Sequence, residues 1–255
     1  MATALITGGT AGIGAAFART LAARGDDLVL VARNGDRLSD MATDLKERYA
    51  VSVETIVADL GVRSDVIRIA ERLTSTEQPI DMLINNAGFG IGTKLTDADT
   101  TPHEHAIDVM ITAVLILGAA AGRAMRERGS GTIINVSSTA GYVAMGSYSA
   151  IKTWVTAYTE SLANELYGTG VTVTALCPGW VRTEFHQRAN INISSIPSVL
   201  WLDADRVVAD CLQDAAAGKV ISIPSKRYKI LMTICMHLPH RALRAVSRRM
   251  TSSRH

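Results

Sequence analysis

Tyr148 and Lys152 lie four residues apart in the stretch "SYSAIK", residues 147–152, with only small or apolar residues between them. An α-helix completes a turn in about 3.6 residues, so both side chains would leave the same face of a helix. A cation beside a phenol favours the phenolate and lowers the pKa of the phenol, which lets such a pair exchange a proton near neutral pH. A tyrosine and a lysine at this spacing are more often an ordinary surface pair than a catalytic pair. The rest of the sequence must therefore distinguish the two.

A glycine-rich segment, "TGGTAGIG" at residues 7–14, follows the first predicted strand and opens the first predicted helix. Its glycines allow a sharp turn and the close approach of a pyrophosphate, whose charge then lies at a helix N-terminus. The spacing differs from the G-x-G-x-x-G fingerprint, and such a turn can also be purely structural. The segment is therefore a candidate dinucleotide site.

Arg33 follows the second predicted strand, where an NAD-binding chain usually carries an acid that binds the ribose hydroxyls. A guanidinium can bind a 2′-phosphate through paired charge-assisted hydrogen bonds, and no carboxylate is there to repel it. The sequence thus favours NADP(H) over NAD(H). A solvated arginine at a strand end is the alternative.

Composition limits the classes of protein that fit. The chain has 255 residues, of which 47% are hydrophobic and 20% are charged, enough for a sizeable core. Its start, "MATALITGGT", lacks the basic region of a signal peptide, and its three cysteines have no metal-binding spacing. We therefore expect a cytoplasmic protein without a metal site. The longest uncharged apolar run, 109–122, is shorter than the roughly 20 residues that span a bilayer, so it predicts a buried helix.

Short β-branched or apolar runs alternate with helical patterns along the whole chain. This alternation predicts right-handed crossovers and one α/β domain whose parallel sheet is covered on both faces. We expect a catalytic domain over 1–225 and a basic, partly apolar extension of the same domain over 226–255. The predicted strands are 3–7, 27–32, 51–57, 80–84, 132–137, 171–176 and 219–223, and the predicted helices are 12–24, 34–49, 63–76, 102–128, 148–168 and 203–217.

Six motifs in order resemble the short-chain dehydrogenase/reductase family over nearly the whole chain. They are "TGGTAGIG" (7–14), "VADL" with Asp59, "NNAG" (85–88), "NVSS" (135–138), "YSAIK" (148–152) and "CPGWVRT" (177–183). The resemblance implies a single Rossmann-type, doubly wound domain with a seven-stranded parallel sheet. It also implies a homo-oligomer built on the fifth and sixth helices. Subgroups that resemble this chain often act as lipid or ketoacyl reductases, an analogy at the level of the fold.

The resemblance gives the opening pair a role. It implies that Tyr148 is the general acid for carbonyl reduction, or the base for alcohol oxidation, with Lys152 as its electrostatic partner. Ser138 would orient the substrate oxygen, in preference to Ser137. Asp59 would meet the adenine, residues 85–88 would line the cofactor, and Thr183 would reach the nicotinamide carboxamide. The implied cofactor-binding residues are Thr7, Gly8, Gly9, Thr10, Gly12, Ile13, Gly14, Arg33, Asp59, Leu60, Asn86, Ala87, Gly88, Tyr148, Lys152, Pro178, Gly179, Val181 and Thr183.

Met110 stands where the family usually has an asparagine that helps to carry a water-mediated proton relay from the lysine. A thioether is a weak acceptor and no donor, so it cannot replace an amide. Four interpretations follow: a relay through a backbone carbonyl and water, impaired turnover, a wider apolar pocket, or simple core filling.

Ser138 and Tyr148 are separated by a shorter loop than in many relatives, which would reshape one wall of the substrate cleft. The resemblance implies that the segment 184–202 covers the substrate, and its apolar residues would make this lid apolar. Together they favour an apolar carbonyl, such as a 3-oxoacyl, lipid or steroid-like compound. The pocket candidates are Phe89, Tyr142, Met145, Trp180 and Phe185.

From Lys226 to the end the chain has eight lysines or arginines and no acid, mixed with apolar residues. This composition suits a peripheral contact with an anionic membrane or with an acidic acyl carrier. The alternative is a final helix packed on its own domain or on a twin subunit. Specific nucleic-acid binding is not expected, because no reading helix or aromatic-interleaved basic patch occurs.

The leading hypothesis is an NADP(H)-dependent oxidoreductase that transfers hydride to or from an apolar carbonyl or alcohol. The first alternative is an NADP-binding sensor or interaction protein with little turnover, which Met110 suggests. The second is an isomerase or dehydratase on the same scaffold. The intact set of Ser138, Tyr148 and Lys152 favours the enzyme.

Overall fold

The structure is a computed structural model that describes residues 2–185 and 196–238, together with residues 241, 244, 245 and 247. Its strands are β1 (Thr3–Thr7), β2 (Asp27–Ala32), β3 (Val53–Val57), β4 (Met82–Asn85), β5 (Gly131–Val136), β6 (Val171–Leu176), β7 (Trp180–Val181), β8 (Trp201–Leu202) and β9 (Ile221–Ser222). Its α-helices are α1 (Gly12–Ala23), α2 (Gly35–Tyr49), α3 (Arg63–Thr74), α4 (Thr101–Ile107), α5 (Ala113–Arg128), α6 (Gly146–Glu165), α7 (Ala204–Ala216) and α8 (Lys226–His237).

Seven strands form one parallel sheet in the order β3-β2-β1-β4-β5-β6-β9, and β7 pairs separately with β8. The strand order reverses between β1 and β4, so the connections leave these two strands in opposite directions. Such a reversal opens a crevice at the carboxyl ends of the strands, which is where ligands bind in this architecture. The predicted seven-stranded, doubly wound parallel sheet is confirmed.

Helices cover both faces of the sheet because neighbouring residues of each strand point to opposite sides. Leu5 and Ile133 belong to the core cluster that contains the apolar faces of α3 and α5. Their neighbours Ile6 and Ile134 belong to the cluster that contains those of α1, α2 and α7. The continuous apolar runs of the central strands are therefore explained by burial on both sides.

A continuous helix from Thr101 to Arg128 joins α4 and α5 through a π-helical turn, Asp108–Thr112. Within the described part of the chain, this is the one helix whose length and apolar composition would allow it to cross a membrane. Here Leu117 and Met125 lie in the main core cluster, in agreement with the buried helix predicted over 109–122.

Where the elements predicted by range differ from the observed ones, they differ at their ends, whereas β7, β8 and α8 were not in the predicted lists. The strand predicted over 219–223 contains only Ile221–Ser222, because β9 is an edge strand that pairs with β6 at two positions. Helix α6 begins at Gly146, two residues before its predicted start, and Tyr148 consequently lies in its first turn.

Candidate functional site

The glycine loop between β1 and α1 has the conformation that close approach of a ligand requires. Gly8 and Gly12 have positive φ angles of 66° and 54°. A Cβ atom on Gly14 would lie 2.2 Å from the Gly8 carbonyl oxygen and 2.4 Å from Nδ2 of Asn86, so only glycine fits there. Helix α1 has no side-chain cap and no acid in its first turn. Its N-terminal amides can therefore bind an anion, and the loop fits the pyrophosphate of a dinucleotide.

Two residues predicted to bind the cofactor instead fasten this loop to the end of β4. Nδ2 of Asn86 donates to the carbonyl oxygens of Thr7 (2.9 Å) and Gly8 (3.2 Å). Oγ1 of Thr7 accepts hydrogen bonds from the backbone amides of Asn86 (2.9 Å) and Ala87 (3.1 Å). Thr7 is fully buried, so its side chain braces the loop.

The expectation that Asn85 lines the cofactor is wrong for its side chain. Asn85 is buried, and its Nδ2 donates to Oδ1 of Asn135 on β5 at 2.9 Å. Nδ2 of Asn135 donates in turn to Oγ1 of Thr159 on α6 at 3.0 Å. This chain of side chains joins β4, β5 and the catalytic helix behind the cleft. Sequence reasoning missed it, because its members lie far apart in the sequence.

Arg33 lies at the carboxyl end of β2 with 69% of its side chain exposed, and its guanidinium is 4.0 Å from the Asp59 carboxylate. Asp59 also accepts a hydrogen bond from the Gly61 amide at 2.8 Å. Both residues predicted to surround the adenosine are thus neighbours. At this separation and exposure, the ion pair leaves the guanidinium accessible to a phosphate.

A second arginine, Arg37, was not singled out from the sequence. It lies in the first turn of α2, and its Nη2 donates to the Thr10 carbonyl oxygen and to the Glu184 carboxylate, both at 3.4 Å. Arg37 is therefore next to the glycine loop. The sequence could have indicated Arg37, because it follows Arg33 by four residues and both lie at the N-terminal end of α2.

Helix α6 brings Tyr148 and Lys152 together. Lys152 is buried, and its Nζ donates to the Val136 carbonyl oxygen at 2.8 Å while lying 5.6 Å from the centre of the Tyr148 ring. Ser138 is close enough to Tyr148 to influence its pKa, and the Ser138 Oγ accepts a hydrogen bond from the Ala140 amide at 3.1 Å. The three residues predicted to be catalytic converge.

Ser137 points the other way. Its Oγ donates to the Lys152 carbonyl oxygen at 2.8 Å and lies 2.7 Å from Oγ1 of Thr156. It is buried and supports α6 from inside, which leaves Ser138 as the serine that faces the cleft.

Burial controls both titrating groups of this set. It raises the pKa of Tyr148 to about 12, an effect that the nearby Ser138 side chain only partly opposes. It lowers the pKa of Lys152 to about 8. The expectation that Lys152 lowers the tyrosine pKa does not describe this state, because burial raises the pKa of Tyr148 and lowers that of Lys152, so that the amine loses its charge before the phenol titrates. At neutral pH the pair is a protonated phenol beside a mostly protonated amine, which suits proton donation to a carbonyl.

Met110 is buried in the main core cluster and lies within the π-helical turn. A Cβ atom on Gly88 would lie 3.0 Å from the Met110 sulfur and 3.7 Å from Lys152 Nζ, so the thioether and the amine both face Gly88. Single π-helical turns are frequent at functional sites. The thioether fills core space beside the catalytic lysine, and no amide occupies that place.

The pocket candidates separate into different groups. Phe185 lies against the catalytic residue, with its ring centre 5.8 Å from that of Tyr148. Phe89 stacks on His105 at 5.3 Å, on the cofactor side of the cleft. Met145 is the half-buried residue immediately before α6. Phe185 is therefore the candidate that the structure places directly beside the reacting group.

Tyr142 and Trp180 pack instead against a third cluster that includes Tyr228 of α8. A Cβ atom on Gly179 would lie 1.9 Å from the Tyr228 ring. The packing of α8 is therefore sufficient to explain a glycine at this position, without any contact to a cofactor. Val181 is buried in the core, which leaves only its backbone for a cofactor. The central part of the predicted lid, 186–195, lies outside the described residues.

Comparisons with known proteins agree with this geometry. The short chain dehydrogenase family matches residues 2–194. An uncharacterized oxidoreductase of Staphylococcus saprophyticus is 36% identical over 183 residues, which cover 71% of this chain and 78% of the relative. A short-chain dehydrogenase from Sphingobium yanoikuyae in complex with NADPH is 32% identical with a TM-score of 0.84, covering 94% of this chain and 96% of that chain. A bulky-bulky ketone specific alcohol dehydrogenase from Comamonas testosteroni is 28% identical with a TM-score of 0.79, covering 94% and 95%.

Proposed function

Because this chain belongs to the short-chain dehydrogenase/reductase family of NAD(P)-dependent oxidoreductases, we propose that it uses NADP(H) and acts on bulky apolar ketones or the corresponding alcohols. The observation that carries the proposal is the environment of Tyr148. Its hydroxyl is near the Ser138 side chain, and its ring centre lies 5.8 Å from that of Phe185. A proton donor with an apolar wall selects a carbonyl whose substituents are apolar. Oxoacyl, lipid and steroid-like ketones belong to this class.

Each residue of the site has a separate role in carbonyl reduction. The nicotinamide supplies the hydride. Ser138 orients the carbonyl oxygen by a hydrogen bond, and Tyr148 gives that oxygen its proton. The Lys152 ammonium stabilises the phenolate that results, and its bond to the Val136 carbonyl fixes its position. In alcohol oxidation the same groups act in reverse, so Tyr148 is then the base.

The NADP(H) preference rests on Arg33 and Arg37. The Arg37 guanidinium lies beside the glycine loop, and the Arg33 side chain, at the end of β2, is largely exposed. Two cations would neutralise the two charges of a 2′-phosphate, whereas the free hydroxyl of NAD(H) gains little from them. The Sphingobium relative, which was solved with NADPH, supports the same preference.

The test is NADPH oxidation over a panel that contrasts acetone with aryl ketones, a steroid ketone and a 3-oxoacyl thioester. We expect kcat/KM for the bulky ketones to exceed that for acetone at least about tenfold, since each buried methylene adds roughly 0.8 kcal/mol of binding. Tyr148→Phe should lower kcat by about 10²–10⁴-fold, the usual contribution of a general acid.

Tyr158→Phe is the matched control, because Tyr158 lies on the same helix and bonds only weakly to the Leu115 carbonyl oxygen at 3.4 Å. It should keep turnover near that of the wild type. Full activity in Tyr148→Phe, or a preference for acetone, would contradict the proposal.

A second candidate function follows from Met110, since a chain without the relay amide could bind NADPH and turn over slowly. Such a binding protein would show NADPH affinity in the micromolar range or better and no carbonyl-dependent oxidation across the panel. An isomerase or dehydratase would convert its substrate without net change in the cofactor, which product analysis detects.

A further inference from the structure

Within the described residues, helix α8 packs on the domain along one side. Tyr228 and Met232 are buried, and they pack with Cys177 and Ile223 in the third core cluster. The Tyr228 hydroxyl donates to the Leu200 carbonyl oxygen at 2.8 Å and accepts from the backbone amide of Trp180 at 3.1 Å. The helix is therefore fixed firmly, and its outer face has a defined orientation.

That outer face carries an apolar stripe beside the exposed residues Lys226, Thr233 and His237. The exposed fraction is 63% for Ile230, 42% for Leu231 and 55% for Ile234. Ile230 and Ile234 lie four residues apart, and Leu231 lies three residues before Ile234, so the three form one stripe. Met236 and Leu238 extend the exposed apolar surface. Of the 13 large apolar residues exposed in the described part of the chain, five lie within 230–238.

Cations border this stripe at its N-terminal end. Lys226, Arg227 and Lys229 are exposed, and Arg227 donates to the carbonyl oxygen of the exposed residue Val199 at 3.1 Å. Residues 226–255 contain eight lysines or arginines and no acid. We call the surface formed by Lys226, Lys229, Ile230, Leu231 and Ile234 the α8 face.

We propose that the α8 face docks the protein on the surface of an anionic phospholipid bilayer. A helix with an apolar stripe bordered by lysines and arginines inserts its apolar side chains at the headgroup boundary, while its cations contact lipid phosphates. A second copy of the same face fits poorly, because each copy would bring cations and no acid to the contact. The exposed isoleucines favour a bilayer over an acidic protein, because an acidic protein would bind the cations and leave the isoleucines without an apolar contact.

Docking by this face would bring the bilayer next to the entrance of the cleft. Tyr228 and Arg227 donate to the carbonyl oxygens of Leu200 and Val199, which lie near the end of the predicted lid segment 184–202. An apolar ketone dissolved in the bilayer would then reach the site without crossing bulk water. This consequence rests on the proposed function, whereas the docking itself does not.

The experiment is co-sedimentation of the full chain with vesicles, without cofactor or substrate. Vesicles of phosphatidylcholine with about one third phosphatidylglycerol are compared with pure phosphatidylcholine, at low and high salt. We expect binding to the anionic vesicles only, weakened by salt because surface charges are screened. Lys226→Gln with Lys229→Gln should weaken it roughly fivefold per lysine.

Ile230→Asn with Ile234→Asn should weaken vesicle binding more than about tenfold, since it removes the inserted side chains. The matched control is Ile67→Asn, which changes an exposed isoleucine on α3, outside the α8 face, and should bind as the wild type does. Melting temperatures and gel filtration show whether each variant is folded and whether its oligomeric state has changed.

Three results would overturn the proposal: no binding to anionic vesicles, equal binding by the double isoleucine variant, or conversion of a larger oligomer to a smaller one by that variant. Binding of a purified acyl carrier protein in place of vesicles would also overturn it. Because no turnover is measured, failure here leaves the proposed reductase activity standing, and failure of that activity leaves docking standing.

Discussion

At the scale of single residues, the site depends on burying a charge. Lys152 is buried, and burial lowers its pKa from 10.5 to about 8. Below about pH 8 this lysine is charged in both the folded and the unfolded state, and the folded state carries the full cost of desolvation. Between about pH 8 and 10.5 the unfolded chain binds more protons, so the free energy of unfolding rises with pH over this window.

We expect Lys152→Met to be inactive yet more stable than the wild type at pH 7, and to lose that advantage as the pH approaches 10. The pKa shift of Lys152 corresponds to a gain in the free energy of unfolding of at most about 3 kcal/mol. Loss of the hydrogen bond to Val136 reduces this gain. Urea unfolding at several pH values measures it. Lys46→Met, at an exposed lysine of α2, should show no such pH dependence. A stability difference that stays constant from pH 7 to 10 would refute this account of Lys152.

Met110 offers a second test at this scale. Its sulfur and the Lys152 amine both face Gly88, so an amide in its place would lie within the catalytic site. We expect Met110→Asn to raise kcat for reduction by restoring a hydrogen-bonding group. It should also lower the melting temperature by several degrees, because an amide is buried among apolar side chains.

Met110→Leu is the matched variant, since it keeps the volume without adding a hydrogen-bonding group. It should resemble the wild type in both kcat and melting temperature. An unchanged kcat in Met110→Asn would show that proton supply does not limit turnover, and would leave core filling as the role of Met110.

At the scale of elements, the end of β2 and the start of α2 together form the part of the cofactor site that distinguishes NADPH from NADH. We expect Arg33→Ala and Arg37→Ala each to weaken NADPH binding about tenfold or more, the usual effect of removing a charged hydrogen-bond donor. NADH binding should change less than about twofold. Titration of intrinsic fluorescence with each cofactor measures both affinities.

Arg48→Ala is the control for this pair, because Arg48 lies on the same helix and pairs with Asp44 away from the loop. It should leave both affinities unchanged. If Arg33→Ala and Arg37→Ala weakened NADH and NADPH equally, the arginines would serve the fold and not the choice of cofactor.

At the scale of the whole molecule, we expect a bound cofactor to contact several elements at once and so to stabilise the fold. The residues around it come from the ends of β1, β2, β4 and β6 and from α6. A ligand that binds only the folded state stabilises it by about 2.7 kcal/mol at 100 times its Kd, which is roughly 5–10 °C for a domain of this size.

We therefore expect NADPH to raise the melting temperature by this amount, and NADH at the same concentration to raise it less. Differential scanning fluorimetry provides the comparison, and the double variant Arg33→Ala/Arg37→Ala should abolish the difference. A larger shift with NADH would contradict the cofactor preference.

Elements of this fold could be predicted from the sequence where burial is uniform. The bounds of β1, β2 and β6 agree with prediction, because strands buried on both faces are continuous apolar runs bounded by polar or turn residues. Edge elements were predicted less well: the observed β9 is shorter than its apolar run. Pairing with a single neighbour, and not local composition, determined its length.

The sequence by itself determined the α/β architecture, the glycine loop and the pairing of Tyr148 with Lys152, because each depends on contacts within a few residues or on a regular period. Tertiary structure decided the rest. It turned Asn85 inward to Asn135, placed Arg37 beside the glycine loop, and packed Tyr142 and Trp180 against α8. It also made burial, and not the nearby cation, the larger influence on the tyrosine pKa. These outcomes depend on which distant segments meet and on how much water they exclude, and neither is encoded in local spacing.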